Sequence, residues 1–336
     1  MKPTYAPWGN TIDELILAAR AAEDAGFDAV WVPELHRSAF VPAAAIAAAT
    51  SRVRVGTAIA LAFVRSPMIA ALEALDVDEI SGGRFVLGIG SGVKRLNEAW
   101  HNARFGKPAP HLRETIAAIR RLVAEMKDGD AIDLEGEYEP VRLRGYERPF
   151  PQARTSIPIY IAAVGDVMTR LAGEVGDGWL GHELGSPAYL RERLLPNIDE
   201  GLAKAGRARA DIQIVPSACC SIDVDARRAK RWGAGLVAFY ATVKTYDDFF
   251  DFHGFLAEAK AVQAAFKQGD ERAMVDAVPD AMVDAVMLAG TADEVRARLR
   301  EYEPLADAIK LSPPTHLVPA EVTRRAQEQI LQALRP

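Results

Sequence analysis

Cysteine is almost absent from this 336-residue chain: Cys219 and Cys220 are the only two, and they are adjacent. Neighbouring residues make a poor disulfide, so a reducing, cytoplasmic setting is expected. Long hydrophobic runs are missing as well. No stretch approaches the roughly 20 apolar residues that span a bilayer. The opening residues, MKPTYAPWGNTIDE, carry no apolar signal core. No membrane partner is expected. Positive charge is not in excess: the formal net charge is −6, which argues against nucleic acid as a partner. Histidines are few, and His101, His182 and His253 show no metal-site spacing. No solenoid-period repeat is visible.

What the chain does have is apolar content, 49% of residues. That allows one large α/β domain or two ordinary ones. The stretch Val53 to Gly92 organises the rest. Two apolar runs, Val53–Ile59 and Arg84–Ile89, flank a segment of helical period. Pro67 suits the first helical turn, and Gly82 and Gly83 stop the helix. Ile69, Leu72, Leu75 and Ile80 predict its apolar stripe. Strand, helix, strand is a crossover unit, so the two strands should be parallel and buried. Each ends in small residues, Gly56-Thr57-Ala58 and Gly88-Ile89-Gly90-Ser91-Gly92. In a parallel barrel that edge carries the chemistry.

Similar units recur along the chain. Lys2–Tyr5 reads as a weak first strand, followed by a helix over Ile12–Ala25. Asp28–Val32 is the second strand, and Val41–Thr50 an alanine-rich helix. Pro110–Lys127 is amphipathic, with Leu112, Ile116, Ile119 and Leu122 on one side. The segment 130–153 alternates and is rich in Gly and Pro, which predicts a hairpin-like insertion over the barrel. Pro158–Ala162, Gly178–Leu180, Ile212–Ser217 and Ala308–Leu311 supply the later strands. Residues 223–277 read as mostly helical, with a dense aromatic group from Trp232 to Phe255 assigned to core or oligomer contact. Thr291 and Glu294 form a capping box. The expectation is a single α/β domain over 1–336. It is a (β/α)8 TIM barrel with an insertion before strand 5 and an extended helical region after strand 7.

Gly88-Ile89-Gly90-Ser91-Gly92 does not fit G-x-G-x-x-G, and no acidic residue follows about 20 positions on. In the barrel reading, Gly88, Gly90 and Gly92 let the backbone approach a flat ring; a plain tight turn is the alternative. Ala163-Val164-Gly165-Asp166 opens a helix, where free amides attract phosphate. Asp166 could instead cap those amides itself. Glu34 and His36, in PELHRSAF, would share one face if the chain stayed extended, suiting proton transfer. An exposed loop histidine is the alternative. His182 is a further candidate, and Lys94 and Arg95 sit just beyond the glycine loop.

The blocks GTAIALAFVRSP, EISGGR and FVLGIGSG resemble the luciferase-like monooxygenase superfamily, in its coenzyme F420-dependent branch. IPIYIAAVGDVMTRLAGEVGDG resembles the same branch, and with Gly26–Trp31 the likeness covers most of the chain. The resemblance implies an oxidoreductase moving a hydride between the deazaflavin F420 and a small organic substrate. It places cofactor contacts at Thr57, Ala58 and Ile59, at the glycine run, and at Ala163–Asp166. It also implies a cis peptide between Ala58 and Ile59. Many relatives carry an acid and a His directly adjacent where Leu35 here separates Glu34 from His36. Within enzymes the alternative is an FMN-dependent monooxygenase; outside them, a non-catalytic flavin- or deazaflavin-binding protein. A homo-oligomer, by default a dimer, is expected.

Overall fold

The computed structural model describes residues 1–335. Its strands, in chain order, are β1 (Lys2–Tyr5), β2 (Ala29–Val32), β3 (Arg54–Thr57), β4 (Ala60–Leu61), β5 (Phe85–Gly90), β6 (Ile132–Leu134), β7 (Val141–Leu143), β8 (Ile159–Ala162), β9 (Gly178–Leu180), β10 (Gln213–Val215), β11 (Ser217–Ile222), β12 (Leu288–Gly290) and β13 (Ala308–Ser312). All but β6 and β7 join one curled parallel sheet, ordered β10-β9-β8-β5-β3-β2-β1-β13-β11-β12, with β4 on β5. The weak first strand pairs along its whole length with β13, in the register Lys2↔Ala308 to Tyr5↔Leu311. The strand expected over Ile212–Ser217 is longer and divided at Pro216, which has no N–H to give the ladder. Its carbonyl still accepts from Lys310 N at 2.8 Å. β12, which begins just beyond the helix Asp280–Val286, lies outside the expected strands.

Alternation along the strands builds two cores. Outward residues such as Val30, Val55, Leu87, Ile161 and Ile309 meet the surrounding helices. Inward residues Ala29, Trp31, Val86, Tyr160, Leu180 and Val215 fill the inside of the curl. Trp31 is 1% exposed, and its indole N–H donates to Thr4 Oγ1 at 2.9 Å. A Cβ on Gly56 would lie 2.4 Å from the Trp31 ring, so glycine there makes room for the indole. A further core underlies the helices of 226–286, where Leu236, Phe250, Val262 and Met282 are buried together.

The helix Pro67–Ser81 runs between its expected stops, with Ser66 at the N-cap and Gly82 at φ +66 beyond its end. Its expected stripe holds at Leu75, with Leu72 packed partly buried against the core, and fails at the two isoleucines. Ile69 and Ile80 are 47% and 48% exposed, while Ala70, Ala71, Ala74, Leu75 and Val77 are buried. The helix lies between Phe40–Ala49 and Pro108–Glu125. Small residues let these backbones approach, and Ile69 and Ile80 stay at the rims. In Pro108–Glu125 the expected stripe of Leu112, Ile116, Ile119 and Leu122 is buried.

The insertion forms the antiparallel hairpin β6–β7, but it does not lie over the sheet's mouth. It packs along the outside of the helix Pro108–Glu125. There Glu114 accepts from Tyr138 N at 2.7 Å and Glu139 N at 3.0 Å, and His111 Nε2 meets Glu139 Oε1 at 2.8 Å. Arg148, 3% exposed, ties its return to Asp76 at 2.8 Å. These polar ties, each made by a charged group, set its path. Among the described residues no helix is long and apolar enough to cross a membrane.

Candidate active site

Two adjoining cavities open where the strands end. The larger, about 710 Å³, is lined by Ala58, Ile59, Gly90, Ser91 and Gly92 on one side. His182, Tyr240, Tyr246, Lys310 and His316 line it elsewhere. The smaller, about 390 Å³, contains Gly165 and Asp166. Ala163, Val164, Gly181, His182 and Tyr246 belong to both walls, so the two form one elongated space.

The small-residue edge follows from strand packing. Thr57 is fully buried and donates through Oγ1 to Gly88 O at 2.6 Å. A Cβ on Gly88 would stand 1.8 Å from Thr57 O, so that glycine serves close strand packing. Thr57 and Gly88 therefore do not reach the cavity, unlike Ala58 and Ile59. The peptide between Ala58 and Ile59 is cis. Gly90 faces Ile59, whose Cδ1 would lie 2.6 Å from an added Cβ, and Gly92 takes φ +60. Lys94 and Arg95 line neither cavity; Lys94 Nζ lies 3.8 Å from Glu98.

At the other end, the helix Asp166–Val175 has Gly165 at its N-cap and no side-chain cap. Asp166 is the first helical residue, and its carboxylate accepts from Asn197 Nδ2 at 3.2 Å. It does not cap the helix, so the leading amides face the smaller cavity uncovered. Asp248 also lines that cavity.

Glu34 and His36 part company. The chain bends over Leu35–Arg37, which removes the extended geometry that would have set them on one face. Glu34 turns to Arg65, accepting through both oxygens at 2.9 and 2.5 Å, and also accepts from Leu61 N at 2.7 Å. It holds the segment after the cis peptide rather than lining the cavity. His36 is exposed and does line the larger cavity.

His182, the weaker candidate by sequence, is central. Leu184 N donates to its Nδ1 at 3.0 Å, and its Nε2 lies 3.0 Å from Tyr246 Oη. An Nδ1 that accepts is unprotonated, so the neutral ring carries its proton on Nε2 and donates it to Tyr246. Burial lowers the His182 pKa to about 4, which agrees with a neutral ring. Burial, then the Glu183 carboxylate, raises Tyr246 to about 12. Tyr240 donates to Glu183 Oε2 at 3.2 Å. Tyr240 and Tyr246 thus leave the assignment to core or oligomer contact and join the site wall. Their positions in a long aromatic-rich region carry no signal that separates them from core residues.

A curled parallel α/β sheet with an elongated cavity at its strand ends is the layout of an enzyme that handles small molecules there. The luciferase-like monooxygenase family model matches residues 2–307, and the chain belongs to that family. It is similar to the 5,10-methylenetetrahydromethanopterin reductase of Archaeoglobus fulgidus, 32% identical over 299 residues, covering 86% of this chain and 85% of that protein. The reductase of the same name from Methanolobus tindarius is 32% identical over 287 residues, covering 84% of each. Among solved structures, the coenzyme F420-dependent tetrahydromethanopterin reductase of Methanopyrus kandleri superposes with a TM-score of 0.85. It is 25% identical, covering 98% of this chain and 96% of that one.

Proposed function

We propose that this protein is a coenzyme F420-dependent oxidoreductase acting on a small organic substrate, built as one domain over 1–336. Its sheet reads as a (β/α)8 barrel with β10 and β11 as one strand. β10 pairs with β9 on one side, while Ile214 O and Pro216 O accept from Asp307 N and Lys310 N of the β13 side at 3.0 and 2.8 Å. The observation that carries the function is the elongated cavity, small and apolar at Ala58, Ile59 and Gly90–Gly92, and reaching uncapped helix amides at Gly165–Asp166. The relatives named for F420-linked reductions point the same way.

The residues present fit such a group. Gly90 and Gly92 admit a flat ring to the backbone, Ala58 and Ile59 give it an apolar backing, and uncapped amides suit an anionic tail. Asp248 opposes an anion there and sets where along the helix it can sit. When bound, F420 supplies the hydride chemistry. The protein's part is to orient, exclude water and supply a proton. Tyr246, whose oxygen accepts from His182 Nε2, keeps its own hydroxyl proton free to donate into the cavity. His36, at the exposed rim, is a second proton-transfer candidate, and Glu34 holds the loop beneath it.

Fluorescence titration with F420 and with FMN tests the reading. F420 should bind the tighter. Equal or tighter FMN binding would move the assignment to an FMN-dependent monooxygenase. Tight binding without turnover across a substrate panel would make it a deazaflavin-binding protein.

A further inference from the structure

Lys310 is the group in the larger cavity that the proposed function leaves unused. It lies on β13, is 8% exposed, and lines that cavity. Its backbone N–H is engaged with Pro216 O. Among the described residues its side-chain nitrogen makes neither a hydrogen bond nor an ion pair, although the other charged groups of this wall are engaged. Arg37 donates to Asn10 O at 2.5 Å, and Glu183 accepts from Tyr240. Burial pushes the Lys310 amine below the usual lysine range, with Glu183 opposing that shift. A desolvated amine without a partner costs folding stability, and it makes sense where a ligand completes it.

The surroundings define that ligand. The cavity wall carries two cations, Lys310 and Arg37, against one carboxylate, Glu183, in a chain whose net charge is −6. Flat rings border it: His316 stacks on Phe239 at 3.9 Å with planes 3° apart, and Tyr240, Tyr246 and Trp8 line the same space. In the sheet order β13 is three strands from β3, so Lys310 and the Ala58–Ile59 wall belong to different sides of the cavity. We propose that Lys310 anchors the substrate of this cavity through a carboxylate, and that the substrate is a flat aromatic or conjugated acid. This rests on the larger cavity being the substrate site of the oxidoreductase proposed above.

Calorimetric titration of the full-length, cofactor-free protein tests it, with benzoate and trans-cinnamate as probes and their methyl esters as controls. The acids should bind, and the esters should bind weaker by about tenfold or more, the loss expected of a charge-assisted hydrogen bond. Lys310→Met should erase that preference, and Lys310→Arg should keep most of it. Because no partner is lost, Lys310→Met should leave Tm unchanged or higher. If that variant unfolds, Lys310→Gln carries the same comparison. Equal binding of acid and ester, no binding of either acid at millimolar concentration, or a preference that survives in Lys310→Met would overturn the assignment. F420 is titrated into the same proteins. Wild type that takes the acids through Lys310 but not F420 would sink the oxidoreductase reading and leave Lys310 standing. The reverse result would sink Lys310 alone.

Discussion

His182 Nε2 and Tyr246 Oη lie 3.0 Å apart, with the two rings stacked at 4.8 Å. The first sits in the loop after β9 and the second beyond the helix Ala226–Ala241, 64 residues later. The imidazole's proton points at the phenol, so the phenol's own proton is directed elsewhere. Removing the hydroxyl should remove the proton donor and the acceptor of the His182 Nε2–H, while the ring keeps the cavity wall in shape. Tyr246→Phe should slow turnover by about 10²–10⁴-fold, with F420 affinity nearly unchanged, read by stopped-flow reduction and by titration. A variant that turns over like the parent would return Tyr246 to a wall role.

His36→Ala separates the two proton-transfer candidates. If Tyr246 supplies the proton, loss of the exposed rim imidazole should change kcat by less than about tenfold, well short of a lost general acid. A loss of the size expected for Tyr246→Phe would instead make His36 the donor.

Glu34→Ala should act through structure. It leaves the largely buried Arg65 guanidinium with only Leu61 O and Glu73 as polar partners, over the Phe40 ring. Breaking a buried pair on one side costs about 3–5 kcal/mol, and the remaining partners should reduce this to about 2 kcal/mol. Urea unfolding measures it. F420 affinity should fall too, because Glu34 also holds Leu61 N just beyond the Ala58–Ile59 wall. Unchanged stability would show that Arg65 finds a new partner at no cost.

Acid should weaken the fold through His182. Burial lowers its folded pKa to about 4 from the ordinary histidine value of about 6.5. Below pH 6.5 the unfolded chain takes up a proton that the native ring refuses. Stability is therefore full above about pH 6.5, falls as the pH drops towards 4, and then levels. The loss should be about 2 kcal/mol after allowing for the ring's partial exposure. His253 and His316 are lowered by burial in the same direction. The measurement is therefore the difference in pH dependence between wild type and His182→Asn in urea unfolding at pH 7.5 and 5. Equal pH dependence in the two proteins would refute the assignment to His182.

The cofactor preference should be at least about tenfold for F420 over FMN, about 1.4 kcal/mol, read as a ratio of dissociation constants in fluorescence quenching.

Local rules alone determined much of the architecture. Pro67 and Gly82 bound a helix, Thr291 and Glu294 close a capping box, and Asp166–Val175 and Gly178–Leu180 fall where their patterns place them. Each signal is short-range: a fixed φ, a cap, a period within a dozen residues. The small-residue strand ends that line the cavity were legible for the same reason. Only the tertiary structure decided which side chains face the cavity. Glu34 went to Arg65, 31 residues away, because the chain bends at Leu35. Gly88 went to strand packing because Thr57 O lies against it. The insertion settled beside Pro108–Glu125 because its backbone amides found Glu114. His182, Tyr246 and Lys310 meet only because β9, the helical region and β13 come round to one edge, and no period or spacing records that closure.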